Sequence, residues 1–299
     1  MRDTGTAGAT VLGIFGPTAS GKTAVAEAVA ERVPAEVVSA DSAAVYRELP
    51  ILTAAPTTPT RLVGFLGLGD EISVGEYARL AHAAVDEIVT AGRLALVVGG
   101  AGLYFRAALA DLAIPPSPAP GERERWERLY DRVGGGVAHA LLAKRDPGAA
   151  AHVHPNDRRR VVRALELVAA GSSLQPAEPE LWSGRYRLPT LVVGLDVPKD
   201  ELDRRIDVRA REMLDRGVVE EVRSALESAP SATAAKVMGL REVGSLSRED
   251  ALAAIVLAHR RLARYQRKWM RRIPGLRLVD ADREPGMVAD EVVTLLREG

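Results

Sequence analysis

Residues 16–23 read Gly-Pro-Thr-Ala-Ser-Gly-Lys-Thr and match the phosphate-binding P-loop pattern at every fixed position. Residues 10–15 are apolar, which predicts a buried strand before the loop, and residues 22–32 have helical spacing. Glycines let successive backbone N–H groups turn toward an anion, and the helix N-terminus adds the positive end of its dipole. Lys22 adds a point charge for a terminal phosphate, and the Thr23 hydroxyl is placed to hold Mg²⁺. The motif therefore predicts a polyphosphate site without specifying which polyphosphate binds.

The segments around this loop alternate between strand and helix. Residues 36–40 and the apolar run at 94–98 predict two further strands, and the periodicity of residues 74–91 predicts an amphipathic helix between them. Strand character returns at residues 190–195. This alternation predicts the α/β class: a P-loop NTPase-like parallel sheet flanked by helices on both faces.

A helical insertion interrupts the α/β pattern. Four prolines within residues 114–121 predict a linker. Residues 122–170 are then predicted to be helical, apart from breaks at Gly134-Gly135-Gly136 and at Asp146-Pro147, and a loop is predicted at 171–184. Long helices are predicted at 200–229 and 248–272. We therefore divide the chain into a core of residues 1–113 and 188–299 and a helical insertion of residues 114–187.

Composition excludes several kinds of protein. The formal net charge is +0, which argues against a globally basic nucleic-acid binder but permits a local basic patch. The absence of cysteine excludes disulfides, cysteine–zinc sites and cysteine nucleophiles, and His152 and His154 have no third histidine nearby for a metal site. The N-terminal residues contain no apolar signal core, and the longest apolar run is too short to span a bilayer. We expect a cytoplasmic protein with no membrane association.

Asp41 follows the second predicted strand. Ligands of open α/β sheets bind at the carboxyl ends of strands, so its side chain should face whatever the P-loop holds. There it would activate a hydroxyl, help to place Mg²⁺, or accept a proton from an attacking amine. The alternative is a structural role, because the surrounding Ser-Ala-Asp-Ser segment is also good helix-capping chemistry.

Two basic clusters stand out in this neutral chain. Residues 260–272 contain seven Lys and Arg residues with Tyr265 and Trp269 interleaved, and residues 158–160 with Arg163 form the second cluster. Such clusters bind nucleic-acid phosphates, and aromatic side chains stack on bases. The alternative for the first cluster is a solvated helix face whose Trp269 packs on the core.

Further segments follow the P-loop in an order that one family shares. They are residues 39–42, 45–47, 53–57, 99–104, 154–157, Arg160, Arg163, 164–166, 205–206, Arg209, 213–214, 217–222, 238–239, Glu242, Gln266, Trp269 and 271–272. In this order they resemble the bacterial tRNA dimethylallyltransferases of the isopentenyl-transferase family. No segment after the P-loop is specific by itself, but the match is collinear from about residue 10 to about residue 272.

The resemblance implies a reaction. The dimethylallyl group of dimethylallyl diphosphate moves to the exocyclic amine of the adenine that follows the anticodon on its 3′ side, in tRNAs that read codons beginning with U. The adenine is flipped out of its stack into a channel, as is usual for chemistry on a base. The implied partners are dimethylallyl diphosphate and the anticodon stem-loop of tRNA, the implied cofactor is Mg²⁺, and the family default is a monomer.

The resemblance also implies roles for individual residues. Asp41 would be the general base or orient the amine, and Lys22 and Arg209 would meet the charge of the leaving pyrophosphate. The implied diphosphate-binding residues are Gly16, Pro17, Thr18, Ala19, Ser20, Gly21, Lys22 and Thr23, with Thr23 also the metal ligand. The implied tRNA-binding residues are Asp41, Ser42, Ala43, Ala44, Ala101, Arg159, Arg160 and Arg163.

The chain departs from the family pattern around the expected substrate channel. Ala101 stands where the family has Thr, Ala55 replaces Lys, Leu52 replaces Gly, and Arg159 replaces Gln. Residues 56–68 form a shorter segment than in the family and lack its His-His-Leu motif. Three other functions therefore stay open: isopentenyl transfer to free AMP, ADP or ATP, a P-loop kinase of a small metabolite, and a non-catalytic paralogue that binds RNA.

Overall fold

A computed structural model describes residues 8–114, 118–119, 121–174 and 180–298. Parts of the expected N-terminal segment, of the proline-rich linker and of the loop at 171–184 lie outside these residues. The chain divides into a first unit, Met1–Asp111 with Gly184–Gly299, and a second unit, Leu112–Ser183. The boundaries drawn from the sequence lie a few residues further along the chain.

The first unit is built on one six-stranded sheet in the order β3-β2-β4-β1-β5-β6, and every pairing is parallel. Its strands are β1 (Val11–Phe15), β2 (Ala35–Ser39), β3 (Thr60–Arg61), β4 (Leu94–Gly99), β5 (Thr190–Asp196) and β6 (Arg277–Asp280). Strand β1 is buried along its whole length and pairs on both sides, with Gly13 opposite Val97 of β4 and Val192 of β5. The predicted α/β class with a parallel sheet is confirmed.

Helices complete both units. In the first unit they are α1 (Lys22–Ala30), α2 (Val74–Thr90) and α3 (Gly102–Leu109), and in the second unit α4 (Glu122–Val133), α5 (Gly135–Arg145), α6 (Pro147–Ala151) and α7 (Arg158–Ala169). The chain then returns to the first unit with α8 (Lys199–Asp215), α9 (Val218–Glu227), α10 (Leu240–Val243), α11 (Arg248–Met270) and α12 (Pro285–Glu298). Among the described residues, none of these helices combines the length and the apolar character needed to cross a bilayer.

Alternating side chains of the central strand separate two apolar layers. Val11 and Phe15 belong to a core on one face of the sheet, and Leu12 and Ile14 belong to a core on the other. Each such side chain, when fully buried, stabilises the fold by roughly 1.5–3 kcal/mol. A third cluster joins the segment after β2 to α8, α9 and α11, and it includes the buried Tyr46.

The second unit has an apolar core of its own around Trp126, Leu142 and Leu165. The carboxylate of Glu166 is buried beside this core and accepts hydrogen bonds from Arg123 at 3.0 Å and Arg163 at 2.9 Å. Its two guanidinium partners offset the cost of burying the charge.

Some predicted elements were wrong in detail. The predicted helix at 200–229 is two helices, because Gly217 has a φ of 90° and begins α9 in the left-handed region that favours glycine. A further break lies between α6 and α7, where Asp157 caps α7 by accepting a hydrogen bond from the Arg160 amide at 3.1 Å. Strands β3 and β6 and helices α3 and α12 were not predicted.

Candidate active site

A cavity of about 710 Å³ lies at the carboxyl ends of β2 and β4, beside the loop that follows β1. This is the edge at which parallel α/β sheets bind ligands. Of the residues predicted to form the site, those that line this cavity are Thr18, Ala19, Gly21, Lys22, Thr23, Asp41, Ala43, Ala44 and Arg209. Within the part of the chain that the structure describes, the lining does not include Gly16, Pro17, Ser20, Ser42 or Ala101.

The P-loop has the backbone of an anion nest. Ala19 and Gly21 both have positive φ angles, 63° and 86°, a backbone conformation typical of an anion nest. The Ser20 amide donates to the Pro17 carbonyl at 3.2 Å and closes the turn. An L-residue such as Ala19 is strained in this region, and such strain typically concentrates at ligand sites.

Lys22 folds back over the loop. Its Nζ atom donates to the carbonyl oxygens of Gly16 at 3.0 Å and Pro17 at 2.8 Å. The pKa of Lys22 is lowered to about 8, mainly by burial and also by the charge of Arg209, while Asp41 acts in the opposite direction. Burial also lowers the pKa of Arg209, which Asp41 again opposes. An anion placed between these two cations would relieve their repulsion.

Asp41 makes local backbone hydrogen bonds and also faces the cavity. Its Oδ1 accepts hydrogen bonds from the amides of Ala43 at 2.8 Å and Ala44 at 3.3 Å, which stabilises a turn and does not cap a helix. The side chain also lines the cavity with Lys22 and Arg209. Among the described residues no hydrogen bond reaches Oδ2, so this oxygen is available to a ligand.

Two tyrosines lie near Asp41. Tyr77 donates its hydroxyl to the Ser39 carbonyl at 2.8 Å, and its ring centroid lies 4.4 Å from that of Tyr104. Burial raises the pKa of both phenols, that of Tyr104 to about 12. Both therefore stay neutral at physiological pH and form part of the core.

The glycines after β4 allow helix α11 to approach the P-loop. A Cβ atom at Gly100 would collide with the Gln266 amide, and one at Gly102 would collide with the Trp269 ring. The close approach lets Gln266 Oε1 accept a hydrogen bond from the buried Thr18 amide at 2.7 Å. Gln266 thus fixes the loop from a distant part of the chain, a role that its place in the family pattern did not reveal.

Two more residues near the cavity were missed by sequence reasoning. Glu221 accepts hydrogen bonds from the amides of Ile51 at 2.8 Å and Leu52 at 2.7 Å, and so anchors the segment that contributes Leu52 to the cavity wall. His259 of α11 is 8% exposed and lines the same cavity. The only signal in the sequence for His259 is a polar residue on the buried face of an amphipathic helix.

The arginines of the second unit differ in their partners. Arg163 is held by the buried Glu166, so part of its hydrogen-bonding capacity serves the fold rather than a ligand. Arg158 pairs with Asp131 at 2.7 Å. Arg159 and Arg160 are exposed, and neither forms an ion pair within the described residues.

In the basic cluster of α11, as in the second unit, some cations are held in ion pairs and others are exposed. Arg260 pairs with Asp207, and Arg267 pairs with Asp196, both at 3.0 Å. Four of the remaining exposed cations, here called the α11 basic stripe, are Arg261, Arg264, Lys268 and Arg271, and none of these four forms an ion pair with another described residue. Tyr265 within the stripe is 57% exposed, whereas Trp269 packs partly into the core.

The few oxygen donors that line the cavity would suit an Mg²⁺ ion that takes most of its ligands from a bound diphosphate. No group of three or more His, Asp or Glu side chains within the described ranges could hold a metal by itself. Thr23 lines the cavity in the first turn of α1, and its hydroxyl makes no hydrogen bond to other described residues. Mg²⁺ commonly takes few protein ligands and completes its shell with phosphate oxygens and water.

The sheet, the nest and the cavity first define a class, the P-loop α/β proteins that bind phosphate at the carboxyl edge of a parallel sheet. A family model described as IPP transferase matches residues 44–273, and one described as isopentenyl transferase matches residues 9–63. The chain belongs to the IPP transferase family.

Individual proteins and solved structures that are similar to this chain support the same family assignment. The chain is 38% identical over 291 residues to the tRNA dimethylallyltransferase of Anaeromyxobacter dehalogenans, covering 93% of this chain and 97% of the relative. It is similar to the full-length tRNA isopentenylpyrophosphate transferase from Bacillus halodurans, with a TM-score of 0.68, 28% identity, and 96% and 97% of the two chains covered. A eukaryotic dimethylallyltransferase acting on tRNA shares the fold, with a TM-score of 0.73 at 23% identity, covering 91% and 73%. The resemblance inferred from the sequence is confirmed.

Proposed function

We propose that this chain is a tRNA dimethylallyltransferase. The observation that carries the proposal is one cavity in which a P-loop, two partly buried cations and the Asp41 carboxylate meet. Relatives named for this activity match the chain over nearly its whole length. The acceptor is the exocyclic amine of the adenine on the 3′ side of the anticodon, in tRNAs that read codons beginning with U.

The P-loop half of the cavity holds the diphosphate of dimethylallyl diphosphate. The amides of Ala19 and Gly21 and the N-terminus of α1 surround the anion, and Lys22 leaves its carbonyl partners to meet it. Arg209 approaches from α8. As the bond between C1 of the allyl group and the diphosphate oxygen breaks, these fixed cations and amides stabilise the charge that develops on pyrophosphate.

Asp41 acts in the other half of the cavity, where the acceptor adenine binds. The amine nitrogen of adenine forms a bond to C1 of the dimethylallyl group, and its proton passes to the free Oδ2 of Asp41. The two backbone hydrogen bonds to Oδ1 hold the carboxylate in place while this happens. An adenine amine is a weak nucleophile, so positioning beside the allylic carbon contributes much of the acceleration. The apolar lining, which includes Leu52, Val237 and Leu262, suits the five-carbon group.

Mg²⁺ would be held by Thr23 and the oxygens of the diphosphate, and it would supply additional positive charge for the leaving group.

The exposed cations bind the anticodon stem-loop: the α11 basic stripe in the first unit, and Arg159 and Arg160 in the second. Each neutralises phosphate charge and releases condensed counterions. We retain the cytoplasmic location and the monomeric state as parts of this proposal.

A transfer assay tests the proposal. The purified chain is incubated with Mg²⁺ and labelled dimethylallyl diphosphate, with unmodified tRNA in one tube and AMP in another. Label in tRNA alone is the expected result, and nucleoside analysis should place it on a single adenosine. Label in AMP alone would move the chain to the free-nucleotide isopentenyltransferases.

A kinase and an RNA-binding paralogue would each give a different result. Conversion of ATP to ADP in the presence of small metabolites, with no prenyl transfer, would indicate a kinase. Tight binding of tRNA without any product would indicate a paralogue that binds RNA only. Either result would contradict the proposed function.

A further inference from the structure

The imidazole of His259 is a buried polar group that the proposed reaction has not used. His259 lies on the inner face of α11 with Ile255 and Gln266, and it lines the cavity together with Lys22 and Arg209. Only 8% of the residue is exposed, and its Nδ1 atom is inaccessible and has no hydrogen-bond partner among the described residues.

Burial alone does not account for a histidine at this position. Buried polar atoms are nearly always hydrogen bonded, and an unpaired one destabilises the fold. The neighbouring inner-face residues Ile255 and Ala263 are apolar, so a leucine would pack there without leaving a polar atom unpaired. Nδ1 stays unpaired, so the reason for a histidine here lies with its other ring nitrogen, Nε2, which can bond a ligand in the cavity that the side chain lines.

The electrostatic surroundings favour a neutral donor. Burial lowers the pKa of His259 to about 4, and the nearby Arg209 of α8 adds to the effect, so the ring is uncharged at neutral pH. Lys22 and Arg209 already repel each other across the site. A neutral imidazole supplies an N–H group to an anion without adding a third positive charge before the anion arrives.

We propose that His259 is a diphosphate-binding residue, whose neutral imidazole donates a hydrogen bond to the anion held by the P-loop, Lys22 and Arg209. Because Nδ1 is inaccessible, Nε2 carries the proton and makes this bond. The inference rests on the proposed function, since it takes the cavity to be the diphosphate site.

Binding of inorganic pyrophosphate tests the inference without requiring catalysis. Calorimetric titrations at pH 7.5 with Mg²⁺ compare the full-length wild type with His259→Leu, His259→Gln and His259→Asn, and thermal unfolding of each protein is measured without ligand. His259→Leu should bind pyrophosphate about tenfold more weakly, as expected for a lost hydrogen bond to a charged group, and should unfold at an equal or higher temperature. His259→Gln should restore most of the affinity, because its amide nitrogen occupies the place of Nε2. His259→Asn should not restore it, because its amide matches Nδ1.

The result that overturns the inference is equal affinity in the wild type, His259→Leu and His259→Asn. If His259 had only a structural role, the variants would unfold at lower temperatures than the wild type and would bind pyrophosphate as the wild type does. That result would also overturn the inference. Lys22→Ala serves as the control for the site itself. If Lys22→Ala loses binding while every His259 variant binds like wild type, His259 has no role and the proposed function stands. If the wild type binds no pyrophosphate, both proposals fail.

Discussion

The backbone amide of Thr18 in the P-loop donates a 2.7 Å hydrogen bond to the side-chain Oε1 of Gln266, which lies 248 residues later on α11. The bond is buried, and Gly100 leaves the space that the Gln266 amide occupies. It connects the phosphate loop directly to the helix that carries the basic stripe. The loop that is to grip the diphosphate is therefore positioned by tertiary structure as well as by its own glycines.

Replacing Gln266 by leucine should destabilise the protein and weaken phosphate binding. The Thr18 amide would be left buried without an acceptor, which costs about 1–3 kcal/mol. Urea unfolding measures the loss of stability, and pyrophosphate titration measures the affinity. Leu257→Gln, at a half-exposed position of the same helix, is the matched control and should change stability by less than about 0.5 kcal/mol. Equal stability of wild type and Gln266→Leu would show that the bond does not hold the loop.

Lys22 should make diphosphate binding depend on pH. Its pKa in the free protein is about 8, and a bound anion raises that pKa, so the favourable contribution is complete only well below pH 8, where the free protein already carries the proton. As pH rises above 8, the free protein loses the proton and the contribution declines, by up to about tenfold in affinity per pH unit until the pKa of the complex is reached. The ratio of wild-type to Lys22→Met affinities removes the ligand's own ionisation from the comparison. A ratio that stays constant from pH 7 to pH 10 would contradict this role.

Restoring threonine at position 101 should stabilise the protein. Ala101 is the N-cap residue of α3, its backbone is extended with φ −85° and ψ 95°, and no side chain caps the helix. A threonine hydroxyl would accept a hydrogen bond from a free amide of the first turn, which is worth about 1 kcal/mol. Ala101→Val, of the same shape without the hydroxyl, is the control in a urea unfolding experiment. If the two variants are equally stable, the hydroxyl makes no cap.

Removing two charges from the α11 basic stripe should weaken tRNA binding selectively. Arg264→Gln with Lys268→Gln should raise the KM for tRNA and reduce the slope of log affinity against log salt by roughly 0.7–0.9 per lost phosphate contact. The kcat and the affinity for pyrophosphate should stay unchanged. Arg260→Gln is the control, because that side chain is already paired with Asp207. An equal effect of all these substitutions would mean that net charge, and not the stripe, matters.

Local sequence patterns were sufficient for the fold class and for placing the P-loop and Asp41 at the candidate site. The P-loop is contiguous, and Asp41 follows a strand, so the rule that places ligands at strand ends brought both to one cavity. Strand β3 is only two residues long and β6 is largely exposed, so neither carries the apolar signal of a buried strand.

The rest of the site depends on contacts between distant residues. Gln266 reaches Thr18, and Glu221 reaches Ile51 and Leu52, across separations that no local pattern records. Arg159 and Arg163 read alike in the sequence. The fold distinguishes them, since Arg163 is held by the buried Glu166, whereas Arg159 is exposed. The roles assigned to the site residues all stay predictions, including Mg²⁺ binding by Thr23 and tRNA contacts by Ala101 and Ser42.

The most direct test of the proposed mechanism is the transfer of labelled dimethylallyl to tRNA by wild type and by Asp41→Asn, with pyrophosphate affinity measured on both proteins. Asparagine keeps an Oδ1 acceptor for the amides of Ala43 and Ala44, so the fold and the P-loop should be preserved. It removes the carboxylate that is to take the proton. We expect label in tRNA with the wild type, none with Asp41→Asn, and pyrophosphate affinities within about twofold of each other. Full transfer activity in Asp41→Asn, or no transfer by the wild type, would contradict the mechanism.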